Sequence, residues 1–337
     1  MPTAHDLQST TLQVLNKRIT DQLYRKTPFI SQAQANGLIE RIAGGQRVEN
    51  PVLLAEHGEI IQLSNGNEKT PFNVKDPTRL SKHEWADFVG TVAITHKEKT
   101  RNKGPQAQNR IYEIRLKSMR QMLMKEVEKQ LIAASSTILT DLETMNGFGT
   151  RTEGWFENAA YGSQTNVVGT LSKATYSESW QNQLVDVAGN FAANGETKMA
   201  EGVVQTQLYA PEGDIDIIHA SPASYLRYKE SLRDDERYMA AKEFRLDGGK
   251  LALDFSGVPL VVNPNLGFTV AGGSDKVSMY MLNSALLRLY FDTEGEWELG
   301  ALREMEGQFA YGARLFVAMQ MAPYHLAGHC VVINAEA

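Results

Sequence analysis

The stretch FAYGARLFVAMQM, residues 309–321, sets Phe309, Tyr311, Ala313, Leu315, Val317, Met319 and Met321 at successive odd positions. Side chains on a β-strand alternate between its faces, so this period of two predicts one unbroken strand with an apolar face. At about 3.3 Å per residue it would be about 43 Å long, where an ordinary strand has roughly five or six residues. A second element matches it. From about Asn109 to Leu139, Tyr112, Leu116, Met119, Leu123, Val127, Leu131, Ala134 and Ile138 recur at steps of three and four, with no internal Gly or Pro. That spacing predicts an amphipathic helix of about 46 Å at 1.5 Å per residue. A strand about as long as the helix implies an elongated, slab-like layer, a hint of a tiling subunit.

Outward from these two, the chain gives shorter signals. Leu12, Leu15, Ile19 and Leu23 fall at helical spacing, and Thr27-Pro28 ends that helix because the residue before proline is pushed out of the α region. After Gly44-Gly45, RVENPVLLAE reads as a strand. His57 to Lys82 is polar and turn-rich, and EWADFVGTVAITHKE then returns to strand character, with Ala86, Phe88, Val92 and Ile94 on one face. Two strands flanking about 26 polar residues predict a long hairpin excursion, of a kind that is usually functional or disordered; a two-stranded arm should dock on something, and a disordered surface loop is the alternative. Near its tip Phe72 stands beside Pro71, with Lys69 and Lys75 close by; these four are the expected intersubunit contacts.

Further on, WQNQLVDVAGNFAANG reads as helix and DIDIIHAS as strand, and Ser221-Pro222 starts a helix through Tyr225 and Leu232. LALDFSGVPLVVNP and SMYMLNSALLRLYF add strand-like runs. Helices and strands mix without βαβ regularity, so the fold class is α+β.

Composition excludes several functions. The 337 residues carry a net charge of -6 and 42% hydrophobic residues, which suits a globular core and not a chain devoted to clothing phosphates. One cysteine, Cys330, rules out an internal disulfide. No run of about 18 apolar residues marks a transmembrane helix, and the N-terminus lacks the pattern of a signal peptide. The expectation is a soluble protein of a reducing cytosol with no membrane partner.

The catalytic motifs are missing. HEWAD at His83 begins like a zinc-protease helix but holds Asp87 where the second histidine belongs, in a strand context. His325 and His329 lie four apart beside Cys330, yet Gly328 and the strand-like CVVIN argue against the helix that would bring them together. GFGTRTEG has the wrong glycine spacing for a dinucleotide loop, DGGKL is no P-loop, and no Gly-x-Ser-x-Gly elbow occurs. The carboxylates of DIDII and RDDER suit a solvated surface. No catalytic, cofactor-binding or metal-binding residue is therefore assigned, and no cofactor is expected. From Lys97 to Lys129 ten basic residues face four acidic ones. That is a solvated helix face, or a complement to a neighbouring subunit or packaged nucleic acid.

The order of elements resembles the Hong Kong 97-type fold of tailed-bacteriophage major capsid proteins, from about residue 10 onward. It is carried by GGQRVENPVLL, EWADFVGTVAI, NRIYEIRLKSMRQMLMKEVEKQL, MNGF, IDIIHASPASYLRYKESL, FSGVPLVVNP, MYMLNSALLRLYF and FAYGARLFVAMQMAPYHLAGHCVVIN. The resemblance implies an N-terminal arm over 1–47 and an extended loop over 57–83. It implies a peripheral domain over 48–56 and 84–189 with a spine helix at about 109–139. An axial domain over 190–300 and return strands over 301–337 complete the set. It also implies a structural shell protein, not an enzyme. Pentamers and hexamers would form an icosahedral capsid around phage DNA bound non-specifically, as part of a virion assembled in the host cytoplasm. A portal and a scaffolding protein supplied separately are the implied partners, since the segment before the first strand is too short to scaffold. Same-fold nanocompartment (encapsulin-like) shells remain the alternative, and a cytosolic α+β enzyme the reading from another class.

Overall fold

The computed structural model describes residues 27–55, 60, 62, 69, 74, 76–101, 105–133, 138–147, 167–176, 179–187, 191–235, 244–246, 250–269, 276–301 and 303–336. The expected helix over Leu12–Leu23 lies outside them. In chain order come α1 (Pro28–Ala35), β1 (Ile39–Ile42), β2 (Arg47–Leu53), β3 (Thr78–Glu84) and β4 (Ala86–Thr95). Then follow α2 (His96–Arg101), α3 (Pro105–Ile132), α4 (Leu142–Met145), β5 (Val167–Val168), β6 (Leu171–Ser172) and β7 (Gln183–Asp186). α5 (Phe191–Tyr209), β8 (Ile217–Ala220), α6 (Pro222–Asp235), β9 (Phe244–Leu246), β10 (Lys250–Phe255) and β11 (Val258–Val262) continue the chain. β12 (Val277–Leu282), β13 (Leu287–Asp292), β14 (Glu298–Leu299), β15 (Arg303–Glu304), β16 (Ala310–Pro323) and β17 (Cys330–Ile333) close it.

β16 is the long strand that its sequence announces, and the first sheet is built on it. β4 lies antiparallel along one edge, from Ala310↔Thr95 to Met319↔Ala86. β13, β14 and β15 share the other edge, and β1 adds in parallel beyond β13. Odd positions from Ala313 to Met321 are buried as the alternation requires, but the second half of the strand buries its even positions as well. Phe309, expected inward, is 87% exposed; it precedes the ladder, in the turn that leads into it. In β4 the alternation is followed closely, with Ala86 and Val92 buried and Phe88 and Ile94 half-buried.

The long helix α3 ends at Ile132, earlier than its apolar spacing suggests. It buries Leu123, Val127, Leu131 and Ile132, while Tyr112, Leu116 and Met119 are half-buried, Ile138 is exposed and Ala134 is outside the described residues. A Cβ on Gly90 of β4 would lie 2.2 Å from Met119 Sδ, so this glycine sets how closely helix and strand approach.

Two expectations fail. The return strand of the long hairpin is not EWADFVGTVAI but β3, which pairs with β2 from Arg47↔Glu84 to Leu53↔Thr78. TRLSKHE shows no apolar alternation because its inward positions are Ser81 and His83, polar groups held by hydrogen bonds. QLVD within the expected helix 180–195 is instead β7, parallel to β17. It is buried at every residue, so it carries no period of two to read.

The second sheet runs β7-β17-β12-β8-β11-β10-β9. Its inner strands are apolar on both faces, and the faces belong to different cores. Tyr280, Leu282, Val331 and Ile333 join one core with Leu289, Val317, Met319 and Trp180. Their neighbours Met279, Met281, Cys330 and Val332 join another with Phe191 and Met199 of α5 and Tyr228 of α6. The first core also takes Leu123, Val127 and Leu131 from α3, which welds the two sheets and the long helix together. β10 and β11 are joined by Ser256 (φ 52) and Gly257 (φ 85), a two-residue turn of the left-handed type that matches hairpin twist.

Candidate assembly surfaces

The β2–β3 hairpin has two chemically distinct faces. Inward it buries Val48, Asn50, Val52, Ser81 and His83. Outward, directly opposed pairs run Arg47↔Glu84, Glu49↔Lys82, Pro51↔Leu80 and Leu53↔Thr78. Charge of both signs therefore sits at the root and apolar surface towards the tip. Leu53 is 71% and Leu80 44% exposed, and Ile60 and Val74 beyond them stand in water. Lys69 is exposed. Pro71, Phe72 and Lys75, the other expected contact residues, lie outside the described residues.

The inner face is held by a histidine. His83 Nε2 lies 2.8 Å from Ser81 Oγ and Nδ1 2.8 Å from Thr140 Oγ1. Burial pushes its pKa down to about 4, so the ring is neutral at pH 7. Gly169, at φ +59, closes over this pair, and its carbonyl accepts from Lys82 N at 2.7 Å. An alanine Cβ there would sit 1.8 Å from Ser81 Oγ. Gly169→Ala is therefore expected to destabilise the chain by about 3 kcal/mol, combining overpacking with a left-handed backbone. A lowered denaturation midpoint at unchanged slope is the readout; an unshifted midpoint would show that the hairpin root is not packed this way.

Two further buried groups tie segments together. Glu128 of α3 is fully buried, and its carboxylate accepts from Phe29 N (2.8 Å), Ile30 N (2.9 Å) and Asn263 Nδ2 (3.1 Å). It supplies the cap that Thr27 does not give α1 and joins α1, α3 and the end of β11. Lys173 donates to Met145 O, Gly147 O and Asn182 Oδ1, at 2.8, 2.8 and 2.6 Å. Burial without a carboxylate partner in that set pushes its pKa down to about 7. Sequence reading missed both. The signal for Glu128 was available, since it lies three residues before Leu131 on the buried stripe of α3; Lys173 sits in a polar turn and gave none.

The basic span is partly absorbed by the fold. Arg115 grips Glu98 with two nitrogens, at 2.6 and 2.9 Å, and also donates to Ala93 O. Arg120 lies over Trp297. Lys97, Lys117, Lys125 and Lys129 are exposed. The side chains of Lys99, Arg101, Lys103 and Arg110 lie outside the described residues. His329 and Cys330 are fully buried, and His329 Nδ1 accepts from Asn283 N at 3.3 Å. Among the described residues no group of three or more His, Cys, Asp or Glu is placed to hold a metal ion.

No family model and no curated protein matches the sequence. Solved structures do match the fold. A capsid chain of cyanophage A-1(L) is similar over 97% of this chain and 98% of its own, at TM-score 0.62 and 13% identity. The capsid of Myoviridae phage XM1 is similar over 96% and 97%, at 0.58 and 10%. This is the Hong Kong 97-type capsid fold. The SrpI encapsulin of Synechococcus elongatus PCC 7942 has it too, over 96% and 93% of the two chains at TM-score 0.55 and 11% identity. The likeness to these capsid chains spans nearly the whole of each chain, although only 10–13% of residues are shared. No described helix is long and apolar enough to cross a membrane.

Proposed function

We propose that this chain is the major capsid subunit of a tailed phage, a structural protein whose copies form pentamers and hexamers and close into an icosahedral shell around double-stranded DNA. The observation that carries this is the near-complete mutual coverage with phage capsid chains, 97% and 98% in the best-aligned case quoted above. In this reading α3 is the spine helix of a peripheral domain built on the first sheet. The second sheet is the axial domain near the capsomer centre, and the hairpin with the residues beyond it is the extended loop reaching a neighbour. The virion is its location, the host cytoplasm its place of assembly, and a portal and a separate scaffolding protein its partners. A second reading, a cellular nanocompartment shell, is supported by the encapsulin likeness.

Electron microscopy of the purified chain and of particles from its source tests both readings. Closed or tubular assemblies support a shell protein, and DNA-filled tailed particles select the phage. Small closed shells without DNA select the compartment, and a monomer under all salt and concentration conditions overturns both. The extended-loop assignment has its own test. With residues 56–75 replaced by a short Gly-Ser turn, the chain is expected to fold cooperatively but no longer build shells. Normal assembly would remove the loop from the contact, and unfolding would place it in the core.

A further inference from the structure

At the end of the first sheet farthest from β13, the outer face of β4 and β16 and the segment carrying β15 enclose an open groove of about 630 Å³. Its lining includes the small residues Ala93, Ala301 and Gly312, together with Met305. A Cβ on Gly312 would lie 2.9 Å from Met305 Sδ, so the glycine lets Met305 pack directly on the sheet at the side of the groove. Beside it, Phe309 projects into water with 87% of its surface exposed. It does not hang on a loose loop. Its carbonyl accepts from His96 N at 2.8 Å, Ala310 N donates to Gln308 O at 2.8 Å, and Met305 N donates to Ala310 O at 2.8 Å. A single exposed apolar residue ordinarily needs no explanation. An aromatic carried on a hydrogen-bonded turn next to a groove lined in part by small residues is a different case.

The rim charges identify the occupant. Arg303 and Arg314 stand with Glu304 and Glu306, all exposed, and among the described residues none of the four has an ion-pair partner. Two cations and two anions make this surface complementary to itself. Nucleic acid would instead call for net positive charge. We propose that this sheet end is a self-contact in which Phe309 of one copy enters the groove of the next copy, with the arginines of each rim facing the glutamates of the other. Because knob and groove share one end of the molecule, the contact closes on itself as a two-fold pair or a small ring. It rests on the shell reading and names a contact that reading leaves open.

Cysteine crosslinking tests it cleanly, because the single native cysteine, Cys330, is fully buried. Differently tagged Phe309→Cys and Ala301→Cys variants are mixed in equal amounts and bridged with a short bis-maleimide. The expected result is a covalent dimer containing one of each, absent when Ala301→Cys is treated alone. Phe309→Asp is expected to keep the circular dichroism of the wild type and lose its assemblies. Normal particles that give no mixed dimer overturn the contact and leave the shell reading intact. A mixed dimer from a chain that never builds shells keeps the contact and overturns the shell. A wild-type chain that stays monomeric and gives no mixed dimer overturns both.

Discussion

Glu128→Ala is expected to lower the stability of the purified subunit by about 3–5 kcal/mol, a large share of the roughly 5–15 kcal/mol that holds a domain folded. Removal of the carboxylate strands three donors in the interior: the amides of Phe29 and Ile30 and the side-chain amide of Asn263. Each buried donor without a partner costs about 1–3 kcal/mol, partly offset because a buried charge no longer has to be desolvated. Glu128→Gln should fall between wild type and alanine, since one carboxylate oxygen becomes a donor facing a donor. Denaturant titration measures the effect. An alanine variant within about 1 kcal/mol of wild type would mean that α1 is docked by its apolar residues Phe29, Ile30 and Ala33 and not by the carboxylate.

The second large effect comes with acid. His83 and His329 are buried and neutral, with pKa values pushed down by burial to about 4 and about 3; for His329 the nearby His325 acts in the same direction. Unfolded, both take up a proton near the ordinary value of 6.5. The folded state is therefore favoured above that pH and loses the advantage as pH falls towards 4 and 3, by up to about 1.4 kcal/mol per pH unit for each ring. Summed over the two rings, the loss at pH 4 is about 6 kcal/mol, enough to unfold a domain of ordinary stability. Glu98 and Glu296, held down by Arg115 and Arg41, act in the same sense but at the surface, where pairing is weak. Glu143, raised by burial and by Asp141, acts the other way. Near-ultraviolet circular dichroism should show tertiary structure lost between pH 5 and 4, and His83→Gln combined with His329→Asn should move that loss lower. Native packing retained at pH 3 would contradict the burial of these rings.

What could be read from the sequence was whatever buries one face and wets the other. FAYGARLFVAMQM and EWADFVGTVAI announce β16 and β4 because their alternation survives in the folded chain, at least where one face stays in water. IDIIHAS reads as strand although β8 is buried throughout, because the turn signal Ser221-Pro222 marks where it ends and α6 begins. The failures share a cause. β7 is buried throughout and β3 hides polar side chains, so neither shows the contrast between faces on which such readings depend. Of the candidate assembly surface only β2 was legible, and neither its partner β3 nor the clamps were. Glu128, His83 and Lys173 are charged or titratable residues most of whose partners come from 9 to 135 residues away, or from turns that no pattern marks.

The position of the last strands bears on how the subunit is made. β16 joins β4, β13, β14 and β15, and β17 lies between β7 and β12. A ribosome that has released the first 300 residues has therefore completed neither sheet, because the strand that organises each one is still to come. Pairing β4 with β16 closes a loop of more than two hundred residues, the kind of distant contact that slows folding. The nascent chain must keep half-formed edges apart until then. The same order delays the proposed self-contact, since the sheet end bearing Phe309 exists only once translation has passed it.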